Sequence, residues 1–527
     1  MKFWHECDLS DWRDYEQLGD MYIPFRPYLR KLTQATFDTP EHFSGRGIVI
    51  PAGGRLLPGA YVTLKLLREF GCKLPVEIWH LGPAEIPDVW RGLFEGLDVI
   101  FRDAHAEAYQ VPNLSGWQLK PYAIIHSRFE EVLFLDADNH PAQDPTYLFE
   151  VPEYKKTGAV FWPDRVPHDV NHPIWDVFGV PYRDEPAHET GQMLIDKSRC
   201  WHALQIAMHC NEFSSFHYRY SHGDTATFRF AFHSLQQPFT MIPHRLLEVP
   251  IDREVEDIKT LETTPYMREP GDIRACFLQR DFEGKVIFQH RSGGGGAQAA
   301  FGLKDNPAIQ HFAYEDECLE WLAEAKRRIE NESGFFAGME QLHPEKISPH
   351  RRAGLRVLFD LMTGIDKPQI VETGTMRQKD NWHNDGGFTW FLSQFQQRFG
   401  GSFATVDIDP EAIKLCKELT DGPIEYVTAD SVEYLKSREK SIDVLMLDSF
   451  DYDGGKEKQA QAHNLNEVMA ALPHMADHGI IAIDDCALAG GGKGGLSVPY
   501  LEGCGWRIVH RDYLVILRKE DSANGRS

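Results

Sequence analysis

The sequence lacks most of what would mark a secreted or membrane-spanning protein. None of its nine cysteines stands in a C-x-x-C pair, and the odd, scattered set argues against a disulfide framework or a structural zinc site. No apolar run approaches the roughly 18 residues needed to span a bilayer. The first residues, MKFWHECDLSDWRDYEQ, carry acids where a secretory signal would carry basic and then apolar residues. Basic residues are scarce too: 55 Lys and Arg against 79 Asp and Glu leave a formal net charge of −24. So acidic a surface repels phosphodiesters and argues against a nucleic-acid or anionic-membrane partner. No repeat of fixed period and no long low-complexity tract occurs. These absences predict a soluble, cytoplasmic protein of a reducing compartment; they leave its oligomeric state open.

What is present is ordinary globular composition over 527 residues, a length that suggests two to four domains. The strongest break is the run Gly293-Gly294-Gly295-Gly296, followed by AQAAFGLKDNPA. After it, Tyr314–Ser333 opens acidic and ends basic, with Leu319, Leu322, Ala323 and Ile329 near helical spacing, which predicts a connecting helix. On both sides short apolar β-type runs alternate with helical stretches, the pattern of α/β domains. The predicted strands are 47–51, 76–80, 98–101 and 131–135 before the break, and 369–372, 402–406, 424–427, 442–447 and 479–483 after it. The predicted organisation is a first domain over residues 1–300, a linker with the connecting helix over 301–345, and a second domain over 346–527. Each run of the second set ends at or just before an acid (Glu372, Asp407, Asp430, Asp448, Asp484), where ligands of open α/β sheets collect.

In the first domain Asp136-Ala137-Asp138 follows the run EVLFL directly. Two carboxylates presented from a strand end can hold a divalent cation that bridges a diphosphate and neutralises the charge of a departing nucleoside diphosphate. D-x-D alone is a weak signal, because it recurs at Asp407/Asp409 and Asp451/Asp453, and a solvated turn is the plain alternative. Its context is an ordered set of blocks between about Gly45 and Pro243: GWQLKPYAII, EVLFLDADNHPAQDP, TGAVFWPD, ETGQMLIDK and HGDTATFRFA. This set resembles retaining α-mannosyltransferases of the fungal α-1,3-mannosyltransferase type, which have a GT-A fold.

The resemblance implies a nucleotide-sugar donor, GDP-mannose first, a divalent metal (Mn²⁺ or Mg²⁺), and a glycan or glycolipid acceptor. It implies that Asp136 and Asp138 hold the metal and the donor's ribose and diphosphate, and that Lys120 reaches a phosphate or the sugar. Arg55, in the loop Pro51–Arg55, would fork onto phosphate. His290, closing the strand-like stretch 285–289, is the candidate to complete the metal site, with an ordinary surface histidine as the alternative. Glu189, Gln192 and Asp224 fall in blocks that line the donor sugar and the acceptor. A short-lived ion pair held by such groups needs no single nucleophile.

In the second domain Ile370-Val-Glu-Thr-Gly-Thr375 ends a strand in an acid and a glycine, short of a full G-x-G-x-G. Followed by ATVDIDP and VTADS, it resembles class I S-adenosylmethionine-dependent methyltransferases, with a Rossmann-like fold, over roughly Gly354 to Arg518. The resemblance implies Glu372 and Gly374 near the methionine portion, Asp407 on the ribose and Asp430 near the adenine. A dinucleotide site is disfavoured: it wants glycines cradling a pyrophosphate at the helix start, and the stretch after Thr375, MRQKDNWHNDGG, is long and unusual for it. That stretch reads as a lid, with Gly386-Gly387 opening the next helix.

Asp448 in VLMLDSFDYDG and Asp484-Asp485 in GIIAIDDC end two further strands. They resemble the acids of metal-dependent O-methyltransferases of the catechol and macrolide-sugar types. That resemblance implies Mg²⁺ at Asp448, Asp484 and Asp485, lowering the pKa of the hydroxyl that attacks the methyl group, with Asp448 in the catalytic set. His463 and His474 are candidate bases without supporting context. The reading is a bifunctional α/β enzyme that transfers a hexose and O-methylates a sugar. The alternative is a glycosyltransferase whose second domain is a non-catalytic docking or binding module.

Overall fold

Two compact units divide the chain, Met1–Arg328 and Ile329–Ser527. The structure, a computed structural model, describes residues 25–107, 111, 114–165, 167–250, 274–291, 314–379, 381–382, 387–452 and 455–519. The glycine run 293–296, much of the expected lid including Gly386, and Asp453 of the third D-x-D lie outside the described residues.

The first unit is built on eleven described strands: β1 (Arg46–Pro51), β2 (Val76–His80), β3 (Val99–Asp103), β4 (Glu131–Leu135), β5 (Asn139–Pro141), β6 (Ala159–Pro163), β7 (His188–Asp196), β8 (Thr240–Met241), β9 (Leu247–Pro250), β10 (Arg274–Arg280) and β11 (Val286–His290). Seven form one sheet in the order β3-β2-β1-β4-β7-β6-β8, in which β1 to β4 run parallel and β7 is antiparallel to both neighbours. Helices cover the sheet, so its central strands read as unbroken apolar runs: Ile48, Val49, Ile50 and Val132 to Leu135 are all buried. The other four strands form an antiparallel sheet, β5-β11-β10-β9. β5 begins directly after the D-x-D and pairs His290 with Asn139, so this small sheet carries the histidine back to the acids.

The strand β7, HETGQMLID, is polar in sequence yet buried along most of its length, with Thr190 and Gln192 at 1% and 0% exposure. Propensity and apolar periodicity do not mark it. Its burial makes sense only with the site that its polar side chains enter. The connecting helix runs from Glu315 to Ser333, and the division between the units falls inside it. Within the first unit its Cys318 and Leu322 pack on Val62 and Leu66, and Glu315 receives a two-pronged hydrogen bond from Arg291 at 2.8 and 2.6 Å.

The second unit holds β12 (Gln369–Thr373), β13 (Ser402–Asp407), β14 (Ile424–Thr428), β15 (Ile442–Leu447), β16 (Met475–Ile483), β17 (Trp506–Arg511) and β18 (Val515–Lys519). They form a single sheet in the order β14-β13-β12-β15-β16-β18-β17. β12 to β16 are parallel, and β18 runs antiparallel between β16 and β17. Strand order reverses between β12 and β15, so the carboxyl ends of β12, β13, β15 and β16 open on one crevice. Among the described cysteines Cys504 is exposed, while Cys72, Cys200, Cys210, Cys276, Cys318, Cys416 and Cys486 are buried, and all are free thiols. No described helix is long and apolar enough to cross a membrane.

Candidate functional site

At the carboxyl end of β4 the chain turns through Asp136-Ala137-Asp138 into β5. The turn is held from below by backbone: Asp136 N donates to the Gly191 carbonyl at 2.8 Å and Asn139 N to the Asp136 carbonyl at 3.0 Å. The helix Leu57–Glu69 comes so close that a Cβ on Gly59 would lie 2.8 Å from the Ala137 carbonyl oxygen. Thr63 Oγ1 on that helix donates to the same carbonyl at 3.2 Å. Arg55 is exposed in the short turn Gly54–Leu56 that leads into this helix.

Asp136, Asp138 and His290 place one ligand atom each within 4.8 Å of one another. His290 stands between two acids, its Nε2 3.2 Å from Asp138 Oδ1 and its Nδ1 3.4 Å from Glu189 Oε1. Room for the ring comes from Gly191, where a Cβ would sit 2.8 Å from Nδ1. Burial disfavours the imidazolium, but Asp138 and Glu189 on either side outweigh it and hold the ring well above its ordinary pKa. Burial likewise works against the Asp138 carboxylate, and His290 overrides it, holding Asp138 below the usual range. Two carboxylates and an imidazole are a donor set that suits Mn²⁺ or Mg²⁺, with a metal taking the place of the imidazolium proton.

Lys120 is a second cation in this cluster. Its Nζ donates to Asp136 Oδ2 at 2.8 Å and lies 3.5 Å from Asp224 Oδ1, with the side chain 9% exposed. Burial lowers its pKa, and Asp136 and Asp224 more than reverse that, so it stays charged. The expectation that Lys120 reaches a donor phosphate is thus joined by a second role, fixing the two acids. Gln192 accepts from Asn139 Nδ2 at 2.5 Å, and Glu189 accepts from Gly191 N and Gln279 Nε2, both at 3.0 Å. Among the described residues, Gln192 Nε2 and Asp224 Oδ2 are buried atoms that meet no hydrogen-bond partner, the condition expected of groups that await a polar ligand. Beside Asp224 the chain also presents Trp117, 46% exposed, in ring contact with Tyr218 and His222 at 5.9 and 5.5 Å. A Cβ on Gly223 would lie 2.5 Å from that indole.

In the second unit Asp407 ends β13 and accepts from Thr375 N at 3.1 Å and Asp409 N at 2.9 Å. The next side chain, Ile408, stands 72% exposed. Asp430 caps the helix Ser431–Lys436, accepting from Glu433 N at 3.0 Å. Gly374 is required, though the close approach it allows is to the protein: a Cβ there would lie 2.5 Å from the Asp448 carbonyl oxygen. Its φ of +81° adds a second reason for glycine. Glu372 is not at the open edge but inside β12, 1% exposed, accepting from Thr405 Oγ1 at 2.7 Å. Burial pushes its carboxyl up to about 8. His463 lies 3.1 Å from Ser431 Oγ and 3.5 Å from Glu467, on a helix flank, and His474 lies in the turn Leu472–His474.

Asp448, Asp484 and Asp485 do converge, with ligand atoms within 4.8 Å of one another. They do not fit a divalent ion as they stand, because two cations are already among them. Arg351 Nε lies 3.0 Å from both Asp484 oxygens and its Nη2 2.7 Å from Oδ2, so the fully buried Asp484 is covered. Lys493 Nζ lies 2.8 Å from Asp448 Oδ1 and 3.0 Å from Asp485 Oδ2. Sequence reasoning missed both cations. The run GGGKGG around Lys493 was the visible signal, whereas Arg351 in SPHRRAG had none.

A mannosyltransferase family model, Mannosyl_trans3, matches residues 45–185. The chain is 24% identical over 255 residues to the α-1,2-mannosyltransferase MNN2 of Candida albicans, covering 38% of this chain and 42% of that protein. It is 26% identical over 318 residues to the α-1,2-mannosyltransferase MNN5 of Saccharomyces cerevisiae, covering 45% and 53%. The chain thus spans about half the length of the curated relatives it matches, and their names specify α-1,2 linkages where the motifs had led to the α-1,3 type. Among solved structures, the bifunctional glycosyltransferase WbbM in its apo form overlays with a TM-score of 0.35 at 11% identity, over 56% of this chain and 53% of that one. The O-methyltransferase NovP overlays with a TM-score of 0.26 at 12% identity, over 34% and 89%.

Proposed function

We propose that the first unit is a metal-dependent retaining mannosyltransferase acting from a nucleotide-activated mannose, GDP-mannose, onto a glycan. The observation that carries this reading is the convergence of Asp136, Asp138 and His290 at the carboxyl end of β4, with Lys120 fixed between Asp136 and Asp224. The mannosyltransferase match over residues 45–185, which includes the D-x-D, supports the sugar class. A divalent ion held by Asp136, Asp138 and neutral His290 would supply positive charge beside the departing diphosphate. In the transfer the bond from the sugar's anomeric carbon to the diphosphate breaks, with its electron pair leaving on the diphosphate. The anomeric carbon bonds to an acceptor hydroxyl oxygen, which gives up its proton to the departing diphosphate oxygen. Lys120 holds Asp224 in place, and Asp224 Oδ2 and Gln192 Nε2 are an acceptor and a donor for sugar hydroxyls. The exposed face of Trp117 offers an apolar platform for a sugar ring at the edge of the same site.

For the second unit we propose S-adenosylmethionine binding and O-methylation of a sugar hydroxyl. Support comes from the sheet order, with one antiparallel strand beside a parallel set, and from Asp407 at the end of β13 with Ile408 exposed next to it. In this reading Asp407 takes the ribose hydroxyls and Ile408 the flat face of a base. A tether between two such activities raises the concentration of one site's product at the other.

The test is thermal unfolding of the full chain with GDP-mannose, UDP-glucose, UDP-galactose or UDP-N-acetylglucosamine, each with and without Mn²⁺, and separately with S-adenosylhomocysteine. A ligand at a hundredfold over its dissociation constant adds about 2.7 kcal/mol to the unit that binds it. A Mn²⁺-dependent shift with GDP-mannose alone is the expected result, and a shift with a UDP-sugar instead would overturn the donor. Absence of any shift with S-adenosylhomocysteine would reduce the second unit to a docking module.

A further inference from the structure

The second unit's backbone is built to bring a cation into its acid cluster. Residues Ala489–Gly495 form a turn in which Gly490, Gly491 and Gly492 have φ of 68°, 86° and 55°. A Cβ on Gly492 would lie 1.6 Å from the Asp485 carbonyl oxygen, so no other residue lets the chain fold back across Asp485. The next amide, Lys493 N, donates to that same carbonyl at 3.4 Å. Asp485 itself sits at φ 55°, a strained position for a residue with a side chain, and its Oδ2 lies 3.0 Å from the loop's lysine. The Lys493 side chain runs inward at 2% exposure; its Nζ donates to Asp448 Oδ1 at 2.8 Å and the Asp448 carbonyl at 3.2 Å, and pairs with Asp485 Oδ2 at 3.0 Å. Gln461 Nε2 ties the loop down through the Gly490 and Gly492 carbonyls at 3.1 and 3.0 Å.

We propose that the Lys493 ammonium stands where a divalent ion would bridge Asp448 and Asp485, so that this cluster is a metal-free site with a cation supplied by the chain. Three carboxylates face two fixed cations, Arg351 on Asp484 and Lys493 on the other two. A divalent ion entering among these oxygens would meet an ammonium at contact distance and find one oxygen of each bridging acid already taken. Lys493 is a positioning residue here: it orients Asp448 and Asp485 through their carboxylates. The assignment holds whether or not the unit transfers methyl groups.

The experiment is Mn²⁺ binding to the full chain, followed by electron paramagnetic resonance of the free ion. Asp138→Asn removes the cluster of the first unit, so the difference between this variant and the parent reports that unit alone. The Asp138→Asn chain is expected to bind no Mn²⁺ at millimolar concentration. Adding Lys493→Ala is expected to create one Mn²⁺ site per chain that Asp485→Asn removes. Mn²⁺ bound by the Asp138→Asn chain and lost on adding Asp485→Asn would overturn the proposal. So would a cooperatively melting Asp138→Asn/Lys493→Ala chain that binds none. If Lys493→Ala does not fold, the comparison of Asp138→Asn with Asp138→Asn/Asp485→Asn decides the matter alone.

Discussion

Each unit gathers acids at the carboxyl edge of a parallel sheet, yet the two clusters are neutralised by different chemistry. In the first, the Lys120 ammonium also lies on Asp136 and Asp224, but the group between Asp138 and Glu189 is an imidazole, which can give up its proton and become a ligand. In the second, the groups among the acids are an ammonium and a guanidinium, which at neutral pH can do neither. The acids look alike in sequence, and D-x-D and Asp-Asp both suggest a metal. What separates them is the partner each acid meets, and the partners come from distant parts of the chain: His290 from β11, Arg351 from the turn before a helix, Lys493 from a glycine loop.

The sharpest way to break this comparison is Asp138→Asn. Sugar transfer is expected to fall roughly a hundred- to a thousandfold, with the shift by S-adenosylhomocysteine unchanged; loss of both would mean that the units do not act separately. The next effect is on stability. Arg351→Ala leaves the fully buried Asp484 without its counter-ion, so the second unit should lose about 3–5 kcal/mol in denaturant unfolding. A loss under about 1 kcal/mol would mean that Asp484 needs no partner, and that the two clusters differ less than their contacts imply.

A smaller effect separates the units by pH. Burial lifts Glu372 from its ordinary 4.5 to about 8, so the folded second unit holds a proton there that the unfolded chain releases. The stability from this group is complete below pH 4.5 and is lost as pH rises through about 8. Glu372→Gln should therefore flatten the pH dependence of the second unit's melting between pH 5 and 9, by up to a few kcal/mol. The first unit's transition should be unaffected; equal flattening in both would remove Glu372 as the source. The smallest expected change is Trp117→Ala, a roughly five- to tenfold rise in KM for the acceptor, about 1 kcal/mol, with donor binding unchanged. A fall in kcat at constant KM would move Trp117 from acceptor binding to the chemistry.

Strands buried on both faces were legible in the sequence: EVLFL and IDVLML are β4 and β15 at the residues read, and VEIWH is β2. The two ends of the range show why others were not. β7 is polar because its side chains serve the site, and β10 was not read, whereas β11, which returns His290 to Asn139, lies on the stretch 285–289 read as strand-like. The D-x-D stood out because strand and motif are adjacent. Glu372 was read as closing its strand, whereas β12 runs one residue further to Thr373 and the Glu372 side chain is buried, because a strand's last residue cannot be fixed from an apolar run. At Gly374 the close approach is to the Asp448 carbonyl oxygen, a neighbour brought in by the adjacent strand that the local sequence does not reveal.

The distribution of cysteines gives the molecule a set of built-in reporters. Cys72, Cys200, Cys210, Cys276 and Cys318 are shielded in the first unit and Cys416 and Cys486 in the second, while Cys504 is open. A thiol reagent added to native protein should label Cys504 at once and each shielded thiol only when its surroundings open. Peptide mapping of a labelling time course would then give separate opening free energies for the two units from the unmodified chain.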